Sequence, residues 1–172
     1  MKSTAHIEGH PIHPMLIPFP FALLSAAAAF DVAARVTRRS AYSQTAGHLR
    51  TAGLGSALVA AVPGIVDYFG TVPQGTQARQ SATRHALSNL SALACFAAAS
   101  ARRKNAGIMP ASALALELAG AGLLSVGGWL GGNLVYHHRI GIDDGTAPRE
   151  VRPPRVLRSS APKRVVEVQV PG

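Results

Sequence analysis

Gly9-His10-Pro11-Ile12-His13-Pro14-Met15-Leu16-Ile17-Pro18-Phe19-Pro20 sets two histidines between prolines at the head of an apolar run that continues to Val36. A helix needs roughly 20 apolar residues to cross a bilayer, and the run over 15–36 is long enough. Pro18 and Pro20 fall in its first turns, where a missing N–H costs least. The stretch therefore predicts a membrane helix with two imidazoles at its edge. Polar groups at such an edge are costly enough to call for a partner or a ligand.

Three further apolar runs follow, over 51–69, 85–101 and 108–136. The second contains Pro63 and Gly64 and ends in Asp67-Tyr68-Phe69, an acid among aromatics of the kind found at interfaces. The third is the shortest, and its His85 and Asn89 share a helical face by their i, i+4 spacing. The fourth carries Gly127/Gly131 and Gly128/Gly132, small-xxx-small pairs that let a neighbouring helix approach closely in lipid. It ends in Tyr136-His137-His138-Arg139. Four spans of this kind predict an all-α integral membrane four-helix bundle over 10–142. Residues 1–9 are polar and read as a flexible N-terminus, and 143–172 as a disordered or surface-bound basic tail rich in proline and arginine.

Composition agrees with a membrane protein. Hydrophobic residues make up 48% and charged residues 15% of the 172, below the roughly 25% charged content of soluble domains. A net charge of +9 raises the question of nucleic acid, but the basic residues lie between and after the apolar runs, without interleaved aromatics. They read as topology signals and headgroup contacts, so no nucleic-acid partner is expected and the lipid bilayer is. The single cysteine, Cys95, rules out an internal disulfide and reads as a packing residue. The first apolar run is too long for a secretory h-region. The glycine clusters lie inside apolar runs and lack the strand–helix setting of a phosphate loop, and no serine sits in a nucleophile elbow. Monomer and homo-oligomer both remain open.

Four spans reverse direction three times, which brings His10, His13, Asp67, His85, His137 and His138 to one end of the bundle. The short connections at the other end hold Arg35, Arg38, Arg39, Arg50, Arg102, Arg103 and Lys104. By the positive-inside rule the histidine end is expected to be extracytoplasmic. Asp31 and Arg35, four apart, are expected to pair. Glu117 lies deep in the fourth run, where an acid raises the question of proton relay or of a hydrogen bond to a serine.

The motifs His10-Pro11-Ile12-His13-Pro14, Pro63-Gly64-Ile65-Val66-Asp67-Tyr68, Arg84-His85-Ala86-Leu87-Ser88-Asn89 and Gly131-Gly132-Asn133-Leu134-Val135-Tyr136-His137-His138 together resemble the bacterial membrane-protein family called domain of unknown function 2231. The resemblance implies a four-span unit in the bacterial inner (cytoplasmic) membrane, sometimes associated with Rieske-type iron–sulfur domains, and hence a redox partner protein. It names no reaction. Arg139 departs from the pattern, which has glycine after the last histidine.

Two cofactor chemistries suit these residues. A b-type haem could lie between two imidazoles from different helices, with His13 and His85 the preferred ligands, His138 a substitute, and Asn89 or Asp67 fixing their tautomers. A zinc, iron or copper ion could instead be held by His13, Asp67, His85 and His138, and an open coordination position would make the protein a metal-dependent membrane enzyme. A third reading is a non-catalytic interaction module in which the histidines hydrogen-bond to carbonyls freed by prolines and helix ends. The sequence favours the first, a small redox-type membrane subunit.

Overall fold

Residues 1–103 and 107–142 are described in the computed structural model. A two-residue strand β1 (His6–Ile7) pairs antiparallel with β2 (His10–Pro11) and leads into a short helix, α1 (Ile12–Leu16). Four long helices follow: α2 (Pro18–Thr37), α3 (Ser40–Gly70), α4 (Gln77–Arg102) and α5 (Ala111–Tyr136). The chain is an all-α membrane bundle. Three spans, Ile12–Thr37, Ser40–Gly70 and Ala111–Tyr136, are long and apolar enough to cross a membrane, and the less apolar α4 completes the bundle. The expectations for Lys104 and for the basic tail over 143–172 lie outside the described residues.

Local sequence explains the helix boundaries. Pro18 opens α2 at the position that tolerates a missing N–H, and the helix ends where Arg38 turns left-handed at φ 59°. Only Arg38 and Arg39 separate α2 from α3. No proline interrupts 40–50, so the helix starts at Ser40 and runs for 31 residues. Arg50, expected in a connection, therefore sits on α3. Helix α4 also starts ahead of its apolar run. Thr76 caps it by accepting a hydrogen bond from the Arg79 N–H at 3.2 Å.

Two helical hairpins make the bundle. Helix α2 packs along α3 and α4 along α5, and α2–α5 and α3–α4 contacts join the pairs. The interior holds mostly small residues, among them Ala27, Ala34, Ala46, Ala60, Ala92 and Ala113, around Leu24, Phe96 and Leu124. Large apolar side chains such as Leu58, Val62, Ile65, Leu90, Val126 and Trp129 point outward. Small residues inside let helices approach closely, and a large apolar exterior suits lipid in place of water.

One expectation is corrected. The i, i+4 spacing pairs Asp31 with Arg35 on an isolated helix, but Asp31 faces inward and binds Arg50 at 3.0 Å. Arg35 is exposed and reaches the Met109 carbonyl at 3.5 Å. The polar N-terminus makes hydrogen bonds to residues 67–71 and 139–142. The Met1 ammonium donates to the Arg139 carbonyl at 2.8 Å, and the Gly141 N–H donates to the Met1 carbonyl at 2.8 Å. Its Ser3 and Thr4 side chains find partners in the half-buried Asp67 and the buried Thr71, which sequence polarity alone does not reveal.

Candidate functional site

His13 lies on α1 and His85 two turns into α4, so the two come from different hairpins. Their ring centres are 6.2 Å apart with the planes at 88°. His13 Nδ1 is 2.7 Å from the Ala60 carbonyl oxygen, and His85 Nδ1 is 2.8 Å from that of Gly127. A carbonyl oxygen only accepts, so each imidazole donates its Nδ1–H. In the neutral form of either ring Nε2 would keep its lone pair, and the ring orientation is fixed from behind.

The backbone that receives them is prepared for close contact. Pro63 has no N–H to donate to the preceding turn of α3, and its ring crowds the carbonyls there. Ala60 belongs to that turn. A Cβ on Gly64 would come within 2.8 Å of the His13 ring, and one on Gly131 within 3.0 Å of the His85 ring. A side chain at Gly64 would force the His13 ring to shift from its carbonyl, and one at Gly131 would crowd the His85 ring. Of the two small-residue pairs on α5, Gly127/Gly131 is the one that faces α4, against Asn89 and His85.

Asn89 shares a face with His85 as its spacing predicts. Its amide nitrogen donates to the His85 carbonyl at 3.0 Å and lies 3.3 Å from both ring nitrogens. The half-buried His138 ends elsewhere, with Nε2 3.5 Å from the Ser81 hydroxyl, while His137 and His10 are exposed. Arg139, where glycine is the expectation, adopts the left-handed φ of 51° that glycine would take, so the turn after His138 is retained.

Asp67 is committed to the N-terminus. Its carboxylate accepts from the Ser3 hydroxyl at 2.7 and 2.8 Å, the Ala5 N–H at 3.1 Å and the Thr71 hydroxyl at 3.0 Å. Nearby, the Arg79 guanidinium lies 3.5 Å above the Tyr68 ring and donates to the Tyr68 carbonyl, stitching α3 to α4. Ser3, Thr71 and Arg79 have no motif that flags them in sequence. Of the residues read as ligands, the fold brings His13, His85 and Asn89 together and leaves Asp67 and His138 with other partners. Among the described residues, no three His, Cys, Asp or Glu side chains converge as a metal-binding group.

A second polar cluster lies among α2, α3, α4 and α5. Arg50 donates to Asp31 at 3.0 and 3.3 Å, to Glu117 at 3.2 Å and, through Nε, to the Ser100 hydroxyl at 3.1 Å. Ser43 donates to Asp31 at 2.5 Å. Arg50, expected among the basic residues of a connection, is instead the buried centre of this cluster. Two acids deep in apolar runs imply a buried cation, and a lone arginine one residue ahead of an apolar run was the available signal.

The family described as "Predicted membrane protein (DUF2231)" matches residues 9–144. That span holds His13, His85, Asn89 and the Asp31–Arg50–Glu117 cluster. No curated protein and no solved structure gives a significant match to the chain.

Proposed function

The chain belongs to the DUF2231 family of predicted membrane proteins, and on that footing we propose that it is a small redox subunit holding a b-type haem between His13 and His85. The observation that carries this reading is the pair of imidazoles 6.2 Å apart, each tied through Nδ1 to a backbone carbonyl. Two imidazoles this close, presented by different elements, could both ligate one metal centre. Haem iron with bis-histidine ligation takes only two side chains from the protein, whereas a closed zinc site takes four. If haem binds, His13 on α1 and His85 on α4 would hold it between the two hairpins. When bound, the iron supplies one-electron redox chemistry. The chain's own contribution is to hold both imidazoles in the Nδ1–H form, to line their backs with Gly64 and Gly131, and to flank His85 with Asn89.

A bare transition metal on His13, Asp67, His85 and His138 is the rival proposal. It needs Asp67 to leave Ser3, Ala5 and Thr71, and His138 to leave Ser81. We further propose that the histidine end faces the extracytoplasmic side of a bacterial inner membrane, because Arg38, Arg39, Arg102 and Arg103 cluster at the other end. An electron-transfer protein is the partner proposed for that side.

The absorption spectrum of protein extracted in mild detergent tests the reading. A Soret band is expected, lost in His13→Ala and in His85→Ala and retained in His138→Ala. Protein without haem overturns it, and a metal found without haem favours the rival.

A further inference from the structure

Asp31 and Glu117 are 0% exposed and Arg50 1%, so two carboxylates and one guanidinium meet out of contact with water. We propose that Glu117 carries an exchangeable proton on Oε2, which makes this triad a proton-binding site inside the bundle, separate from the histidine pair.

Charge balance gives the first argument. With both carboxylates ionised, the triad holds a net negative charge in a low-dielectric interior, where uncompensated charge is expensive. One added proton makes it neutral. The charged groups that face Glu117 from neighbouring elements are Asp31 on α2, Arg50 on α3 and Arg103 just past α4. Arg103 is half-exposed, so water screens much of its charge.

Hydrogen bonding gives the second argument and places the proton. Both Asp31 oxygens are occupied, Oδ1 by the Ser43 hydroxyl and Oδ2 by two Arg50 nitrogens. A proton on Asp31 would have to displace a donor. Glu117 Oε1 accepts from Arg50, but Oε2 is buried and has no hydrogen-bond partner among the described residues. Protonation there displaces nothing and removes the cost of a bare buried anion. A divalent metal ion at Oε2 would leave the cluster with a net positive charge beside the Arg50 guanidinium, whereas a proton leaves it neutral. A hollow of about 380 Å³ lined by Gln44, Gly47, His48, Thr51 and Arg103 lies along the same turns of α3 that carry Arg50.

Infrared spectroscopy of the full-length protein in lipid at neutral pH tests this. A protonated-carboxyl C=O band is expected. It should shift in D2O, shift again when the protein is made with ¹³C-labelled glutamate, and vanish in Glu117→Gln. The absence of the band in the unsubstituted protein overturns the proposal. So does a band unmoved by labelled glutamate, which would put the proton on Asp31, or one that persists in Glu117→Gln. The labelling arm needs no variant, so misfolding of Glu117→Gln cannot shield the proposal.

Discussion

Arg50→Met tests the buried cluster at its centre. The substitution keeps an unbranched apolar stem of similar length and removes every guanidinium contact: those at 3.0 and 3.3 Å to Asp31, 3.2 Å to Glu117 and 3.1 Å to Ser100. Asp31 then stays 0% exposed with only the Ser43 hydroxyl to stabilise its charge. Removing one partner of a buried ion pair costs about 3–5 kcal/mol, a large share of the 5–15 kcal/mol that holds a typical domain together. Reversible unfolding in mixed micelles, titrated with denaturing detergent and followed by circular dichroism, measures the loss. The double variant Asp31→Leu/Arg50→Met removes the stranded charge together with its partner. It should recover most of the stability, since apolar replacement of a whole buried pair is often neutral or better. A loss under about 1 kcal/mol in Arg50→Met, or a double variant no more stable than the single one, would refute the reasoning.

Three further outcomes follow from the geometry. Gly64→Ala places a methyl group 2.8 Å from the His13 ring. The overpacking cost of about 1–3 kcal/mol should outweigh the helix-propensity gain of about 1 kcal/mol, so a Tm above that of the unsubstituted protein would count against the close packing. Asp67→Ala strips Ser3, Ala5 and Thr71 of their acceptor. A loss of about 1.5–3 kcal/mol is expected locally, read as faster hydrogen exchange of the Ala5 amide, and unchanged exchange would contradict the anchoring role. Arg139→Gly relieves a left-handed residue at φ 51° and should raise stability by up to about 1 kcal/mol in thermal unfolding, with a drop in Tm as the contrary result.

The sequence disclosed most where apolarity is continuous. The runs over 15–36, 51–69 and 108–136 lie within α2, α3 and α5, give or take a few end residues, because burial in lipid demands an unbroken apolar segment. It disclosed less where a helix extends beyond its apolar part. Residues 40–50 are polar yet helical, and α4 begins at the Thr76 cap, ahead of its apolar stretch. The meeting of His13 with His85 was legible because chain reversal brings the ends of four spans together. Their hydrogen-bond partners were not, because the Ala60 and Gly127 carbonyls are backbone groups with no residue-type signature. Nearby Pro63 and the glycines were the only hints. The partners of Asp67 were illegible for a related reason. Its partners Ser3 and Ala5 lie in a segment whose polarity resembles a loose terminus until its hydrogen bonds are counted.

Low-temperature electron paramagnetic resonance of the oxidised full-length protein, purified in mild detergent, tests the central claim most directly. Two axial imidazoles give ferric haem a low-spin signal. His13 and His85 as ligands predict that signal in the unsubstituted protein and its conversion to high spin, or its loss, in His13→Ala and in His85→Ala. A low-spin signal that survives both substitutions, or purified protein with no haem signal at all, would contradict the account.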